Sequence, residues 1–481
     1  MARPRCHTAE MIKRSTGAVT RAWAALGGDP ALVATVAHDG PDAGTLPSTL
    51  PVREFARSAV AVCGLAAAEL TAVRQGGQRG GPPRVTVDDG AVATAFTSER
   101  HIRLDGRAGG TFAPLSRFWR TADGWVRTHA NYPHHRARLL ATLEIADTGD
   151  DEALAARVAA VLAERRAGDV EETVYAAGGL AIAVRTPGEW ATHPQGAVVA
   201  RHPLLSLDRV GEEPERTMPE AREGLPAHGL RVLDLTRVLA GPVATRTLAL
   251  LGADVLRVDS PHLPEDQDTL NDTGFGKKTA TLDLARAADR ATFEELLTAA
   301  DVVVTGYRPG ALDRHGLSAE DLAERHPGLV IGQLSAWGAY GPWGGRRGFD
   351  SLVQAATGIA VMEAGEDGRP GALPAQALDH GTGYLLAAAV LRALTEQHTN
   401  GGTRLARFAL AQTAAWLTGE GTRDRDEGEP EGTYAPEAWL RETDGPLGRL
   451  RYASSPVTVE GAPADWRRPP GAWGTDPARW G

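Results

Sequence analysis

Asp379 has neighbours that a purely structural aspartate would not need. It stands in the run Ala377-Leu378-Asp379-His380-Gly381-Thr382-Gly383, ahead of a long Ala/Leu-rich segment. The plain role for such a residue is a helix N-cap. Gly381 and Gly383 fit that role poorly, because each weakens a first helical turn by roughly 1 kcal/mol relative to alanine. Glycines at those positions let a bulky ligand approach the backbone, which points to a carboxylate that does chemistry. His380 is a second candidate base, and an exposed polar neighbour is its plainer reading. A different stretch, Gly306-Tyr307-Arg308-Pro309-Gly310-Ala311-Leu312-Asp313-Arg314, offers two arginines whose planar forks suit phosphate oxygens. Surface solvation is the alternative for both, and Lys277-Lys278 add cations to the same edge. The loop Thr236-Arg237-Val238-Leu239-Ala240-Gly241-Pro242 lacks G-x-G-x-x-G, so a nicotinamide dinucleotide is not indicated. It still leads into a helix start whose free N–H groups favour anions. Asp259 closes a strand pattern, where an acidic residue can reach a ribose or adenine or merely cap the strand.

The elements that must hold these residues are legible after residue 228. Apolar strands are predicted at 231–235, 254–259, 279–284, 301–304 and 329–334, separated by helices starting at Gly241-Pro242 and over 288–299 and 318–325. Near-continuous apolar strands alternating with helices predict an α/β, doubly wound parallel (Rossmann-like) sheet, which binds ligands at its strand carboxyl ends. Helices at 350–356 and 380–396 and a strand at 407–410 follow. Residues 112–207 read as a smaller α+β domain. Its hairpin is centred on Asp123-Gly124, followed by helices at 134–143, 151–166 and 169–177 and a short apolar segment at 180–184. The N-terminal part carries helix patterns at 18–26 and 52–74, a Gly-rich turn at 76–81 and a strand at 84–87. Residues 208–227 read as a linker, 418–444 as a flexible charged loop, and 445–481 as a Pro-, Gly- and Trp-rich segment lying along other units.

Composition narrows the functional classes. The 481 residues are 42% hydrophobic and 23% charged, with a formal net charge of −10, so a basic face for nucleic acid is not expected. Two cysteines, Cys6 and Cys63, exclude a disulfide framework and a cysteine metal cluster. Neither a signal-peptide core nor a run of about 18 apolar residues is present, so the expectation is a cytoplasmic protein without a membrane span.

Longer runs carry a family resemblance. Gly229-Leu-Arg-Val-Leu-Asp-Leu-Thr-Arg-Val-Leu-Ala-Gly-Pro242, Leu251-Gly-Ala-Asp-Val-Leu-Arg-Val-Asp259 and Gly276-Lys277-Lys278 resemble the family III CoA-transferases. So do Arg308-Pro-Gly-Ala-Leu-Asp-Arg314, Gly348-Phe-Asp-Ser-Leu-Val-Gln-Ala-Ala356 and Leu378-Asp-His-Gly-Thr-Gly383, in the family's order. That group includes formyl-CoA transferase, carnitine CoA-transferase and alpha-methylacyl-CoA racemase. The likeness covers roughly 228–417, read as the CoA-binding catalytic domain, while 112–207 resembles the family's small domain in an unusual position before the sheet. Residues 1–111 read as a degraded partial copy of the catalytic domain's helical segment: 47–95 parallels 373–416, with Val52-Arg53 near the aspartate position.

The resemblance implies an acyl-CoA:carboxylate CoA-transferase working through an aspartyl anhydride and an aspartyl-CoA thioester on Asp379, with N–H groups near Gly381 and Gly383 at the oxyanion. It implies CoA contacts at Val238, Leu239, Ala240, Asp259, Ser260, Tyr307, Arg308 and Arg314. Coenzyme A is then a substrate beside the carboxylic acid, with no tightly bound cofactor, no metal and a homodimeric assembly. Gly306 stands where the family usually has Asn, which weakens one CoA contact. Phe349 stands where the racemase branch has His, which disfavours racemisation. An acyl-CoA racemase or isomerase and a decayed CoA-binding subunit remain the alternatives.

Overall fold

Strands that are apolar on both faces need cover on both faces, and the large sheet supplies it. The computed structural model describes residues 17–39, 44–76, 81–110, 112–218, 222, 224–419 and 434–481. Cys6, most of the Gly-rich turn expected at 76–81, and residues 420–433 of the expected charged loop lie outside them. The main sheet has seven strands: β1 (Leu205–Arg209), β2 (Arg231–Leu235), β3 (Asp254–Asp259), β4 (Lys277–Thr281), β5 (Val302–Thr305), β6 (Val330–Ser335) and β7 (Arg404–Ala409). Their order is β4-β3-β2-β5-β6-β7-β1, and only the β7–β1 pair is antiparallel. Without that edge strand this is the doubly wound order, whose ligand crevice opens where β2 and β5 lie side by side. β1 crosses the boundary expected between small domain and linker. Leu205 pairs with Phe408, so the strand covers an edge of β7 that would otherwise be open.

Five helices bear on the site: α1 (Val52–Arg74), α2 (Ala240–Leu250), α3 (Asp350–Thr357), α4 (Ala377–Asn400) and α5 (Leu410–Gly419). α2 and α4 pack on the sheet face carrying Val302, Val304 and Val330. The opposite face, with Val303, Ile331 and Leu405, is covered by the helices Ala287–Thr298 and Ala319–Arg325. α4 is buried nearly all round, because α1 lies on its far side. α1 has the length and composition of a membrane span, yet most of it is buried within the fold.

The segment read from the sequence as a partial copy is folded as a helix, a strand and a helix. α1, the strand Val85–Asp88 and the helix Asp89–Phe96 repeat the order α4, β7, α5. The first copy's strand stays out of the main sheet and pairs with Val36–Asp39 and Thr458–Val459. The two copies meet along α1 and α4. A Cβ on Gly381 would fall 2.2 Å from the Phe55 ring, and that ring packs on Trp416 at 5.2 Å. One on Gly383 would fall 2.6 Å from the Ala240 carbonyl oxygen at the start of α2. Both glycines therefore serve close helix packing. Their amides lie inside α4, engaged in its i→i−4 ladder, and this corrects the expectation that they face an oxyanion.

The small unit packs the antiparallel strands Phe118–Arg120, Trp125–Thr128 and Ala181–Ala183 against three helices around its own core, including Trp119, Leu154 and Val174. Within the C-terminal region, part of the loop expected at 418–444 is ordered. The strands Leu440–Gly445 and Gly448–Ala453 form a hairpin that pairs with Arg103–Leu104. The last residues strap the β4 side of the sheet, where Trp466 donates to the Arg246 carbonyl and Trp480 to the Leu296 carbonyl.

Gly381→Ala should lower stability by about 1–3 kcal/mol through overpacking against Phe55. Phe55→Leu in the same chain should recover part of that loss, as read from denaturant unfolding midpoints.

Candidate active site

α4 runs antiparallel to β7, which follows it, so its N-terminus lies at the carboxyl edge of the sheet. Asp379 is the third residue of the helix rather than a cap before it. Its side chain is buried, with 8% of the residue exposed. Its backbone N–H donates to Oδ2 of Asp350, the first residue of α3, at 2.9 Å. Oδ1 of Asp350 accepts from Gln354 at 2.5 Å. Two carboxylates therefore share one dry corner, and no cation pairs with either among the described residues. Burial first, then the neighbouring charges of Asp350 and Glu99, push the Asp379 pKa well above the usual carboxylate range. Burial raises Asp350 to about 6, against the opposing hydrogen bonds from Gln354 and the amides of Asp379 and Leu378.

Glu99 comes from the first copy. Its Oε2 lies 3.7 Å from Nε2 of His380, and the His380 ring stacks on Phe96 at 5.2 Å. His380 is fully buried, not the exposed neighbour the sequence suggested. Burial raises the Glu99 pKa, but the nearby His380 ring, the backbone and Arg100 together lower it by more, so the net shift is downward.

The loop 236–240 adjoins Asp379 through the contact of Gly383 with Ala240. Val238 adopts φ +69°, an uncommon conformation for a β-branched residue, at a cost of order 1–3 kcal/mol. Its N–H is held by the buried Glu265 carboxylate at 3.2 Å, which also accepts from Arg257 at 3.1 Å, while Tyr132 of the small unit donates to its other oxygen at 2.8 Å. Leu239 and Ala240 are buried. Across the crevice, Gly306 backs onto Thr236, where a Cβ would come within 3.4 Å of the threonine Cβ.

The remaining predicted residues divide into engaged and available groups. Asp259 is locked by Arg257 at 2.7 Å and by the Trp473 indole at 3.0 Å, so its carboxylate is taken. The adjoining Ser260 hydroxyl accepts from His262 N–H at 3.3 Å. Lys277 is buried against Asp234 at 3.1 Å and the Pro242 carbonyl, and Lys278 pairs with Asp254, so neither lysine faces a ligand. Arg308 and Arg314 are exposed on the loop after β5. Arg347, which the sequence reading passed over, faces Arg308 and Arg138. Burial and then these like charges lower its pKa. Tyr307 and Arg308 also line a cavity of about 360 Å³ with Gln333, Ser335 and Arg407. That cavity is lined as well by Leu205, Leu334, Phe408 and Gln412 and does not include Asp379.

Residues 228–436 match the family model described as CoA-transferase family III. A probable fatty acyl-CoA transferase of Mycobacterium tuberculosis is 34% identical over 213 residues, 42% of this chain and 54% of that protein. A formyl-CoA:oxalate CoA-transferase of Streptomyces coelicolor is 36% identical over 37% of this chain and 46% of its own length. A succinyl-CoA:glutarate CoA-transferase of Mus musculus is 31% identical over 37% and 43%. A crystal structure of the Mycobacterium tuberculosis protein is similar with a TM-score of 0.39 at 34% identity, covering 41% of this chain and 57% of that one. The chain thus spans about half the length of the curated relatives it matches.

An acid whose native pKa exceeds its unfolded value of about 3.9 destabilises the fold progressively as pH rises above that value. Asp379→Asn removes this penalty. The variant should be more stable than wild type at pH 8, with the gap shrinking toward pH 5, in denaturant titrations at both pH values.

Proposed function

We propose that the chain, whose residues 228–436 match the CoA-transferase family III model, moves coenzyme A from an acyl-CoA to a free carboxylic acid, with Asp379 as the covalent carrier. The observation that carries this reading is the Asp379 carboxylate itself: buried, without a cation, and beside a second acid. A carboxylate in water is a poor nucleophile toward a thioester because it is well solvated. A dry, oriented one is not held back in the same way.

The steps balance without a metal or redox partner. The Asp379 carboxylate attacks the thioester carbonyl, the C–S bond breaks, and CoA leaves as the thiolate from a mixed anhydride. The thiolate attacks the aspartyl carbonyl, releasing the donor acid and leaving aspartyl-CoA. The acceptor carboxylate then attacks that carbonyl, expelling the thiolate and forming a second anhydride. Attack of the thiolate on the acceptor carbonyl gives the new acyl-CoA and frees Asp379. Asp350 holds the backbone at Asp379 and resists full ionisation of the corner, so its role is to position.

The CoA moiety is assigned to the crevice between β2 and β5. Its phosphates would meet Arg308, Arg314 and Arg347, and its pantetheine arm would pass Val238, Leu239 and Ala240 toward Asp379. The engaged carboxylate of Asp259 leaves it and Ser260 as packing at the rim. The resemblance further suggests a cytoplasmic homodimer as the working form.

Incubation with an acyl-CoA and hydroxylamine should leave a hydroxamate on Asp379, found by peptide mass spectrometry. Asp379→Ala should lose at least about 10³-fold in kcat, the scale of removing a covalent nucleophile; full activity in that variant would end the proposal. Arg308→Ala should raise KM for the acyl-CoA with a smaller change in kcat, as expected for a phosphate contact far from the thioester.

A further inference from the structure

One row of side chains across the main sheet breaks the apolar pattern of the face it lies on. Under the helices Ala287–Thr298 and Ala319–Arg325, Val303, Ile331 and Leu405 stand side by side on β5, β6 and β7. Two residues on, the same register sets Thr305 beside Gln333, Gln333 beside Arg407, and Arg407 beside Ser206 of β1. The alternation of side chains along a strand puts this row on the same face as the apolar one. A hydroxyl, a carboxamide, a guanidinium and a second hydroxyl thus follow one another across four adjacent strands.

All four line the cavity of about 360 Å³, which is the size of a small-ligand pocket. Ser206 is taken, since its hydroxyl donates to Asp208 at 2.8 Å. Thr305 and Gln333 are not: among the described residues no hydrogen bond engages the threonine hydroxyl or the glutamine carboxamide, although Thr305 is only 5% exposed. Arg407 donates to Glu320 at 3.1 Å and stands 3.7 Å from Asp208. Both acids are well exposed, and ion pairs of that kind contribute little. The guanidinium therefore keeps N–H groups for a ligand.

Each free group sets its own complement. A guanidinium fork suits a carboxylate. A carboxamide both donates and accepts, which matches the C=O and N–H of an amide. Neighbouring strands lie about 4.8 Å apart, so a ligand laid across them from β7 to β5 presents its carboxylate and then its amide within about 5 Å of each other. Leu312 and Leu317, which follow β5 in the chain, give that end of the cavity an apolar wall. The charged residues of the lining are Arg308, Arg407, Asp313 and Glu320, two of each sign. That balance suits a single negative charge on a largely neutral body, and it does not suit the several charges of a nucleotide's phosphates.

We propose that this cavity is a second ligand site, separate from the Asp379 corner, and that it takes a small N-acylated amino acid. The carboxylate meets Arg407, the amide meets Gln333 and Thr305, and the acyl chain lies toward Leu312 and Leu317. Asp379 is not part of the lining, so the site stands whether or not the chain transfers CoA. Residues 307–313 form one wall of the cavity and also carry the exposed Arg308 of the crevice, so an occupant bears on how that loop is held.

The test is titration calorimetry of the full chain with N-hexanoylglycine and two matched analogues. In 4-oxononanoate a methylene replaces the amide N–H, and N-hexanoylglycinamide lacks the charge. Wild type should bind N-hexanoylglycine at least about fivefold more tightly than the ketone and at least about tenfold more tightly than the uncharged amide. Gln333→Leu should erase the first preference and Arg407→Gln the second, effects that a general loss of packing would not separate. Asp379→Asn should leave the affinity within about threefold of wild type, and binding should persist in saturating CoA. If either cavity variant fails to fold, the ranking of the three probes on wild type still decides. Equal affinity for the three, no saturable binding, or preferences that survive both substitutions overturn the proposal. So does loss of binding in Asp379→Asn, which would place the acid at the corner, and so does complete displacement by CoA, which would make the cavity part of the crevice.

Discussion

Two carboxylates buried side by side without a cation are the constraint on which the rest of this molecule depends. Taking one ionised acid out of water costs several kcal/mol, and a second one beside it adds repulsion. The chain offsets this only in part. Asp350 gains the amides of Asp379 and Leu378 and the Gln354 side chain, all of which favour its charged form. Asp379 gains a place in the first turn of a long helix, where the helix dipole favours negative charge. Neither gain matches what an arginine would give, so the acids keep raised pKa values and the fold carries the cost. A carboxylate held this way lacks a compensating cation, and that separates the corner from the many paired acids elsewhere. Asp234 with Lys277 and Asp272 with Arg246 are equally buried yet neutralised by contact.

Keeping that corner dry requires cover on the side of α4 that faces away from the sheet. The first copy of the repeat provides it. α1 lies along α4, Phe55 fills the space that Gly381 leaves, and Phe96 stacks on His380. The segment's strand lies outside the main sheet, and its helix–strand–helix order is that of α4, β7 and α5. Its retained contribution is a surface, plus one charge, Glu99. That residue raises both acids and is itself held down by His380. This cover matters because a helix apolar all round, such as α4, has no stable state with one side exposed.

What the sequence disclosed follows the range of the interactions involved. The alternation of strands and helices, the helix starting at Gly241-Pro242 and the small unit's hairpin all rest on local periodicity and turn residues. The fold class was therefore legible, and α1 is found at the bounds its pattern predicts. Asp379 was visible from its neighbours, though the reason given for the glycines was not the one found. Gly381 and Gly383 face Phe55 and Ala240, contacts set by residues more than 100 positions away. Asp259 and Lys277 looked like ligand-facing strand ends, and only the packed structure shows Trp473 and Asp234 taking them up. Glu99, Glu265 and Gln333 had no local signal at all, since their meaning comes from what lies opposite them in space.

The division of labour between the two folded units follows from this geometry. The loops of the sheet form the crevice between β2 and β5, with the strained Val238 and the exposed arginines at its edge. The small unit has its own core and also packs broadly on the sheet domain, through the stack of His129 on Phe349, the Tyr132–Glu265 bond, the Arg185 N–H to the Ala355 carbonyl of α3, and Gln195 with Trp337 and Trp343. A buried pair of acids that depends on tight helix packing tolerates little variation nearby, whether the neighbour comes from the helices of the sheet domain or from the small unit packed on them.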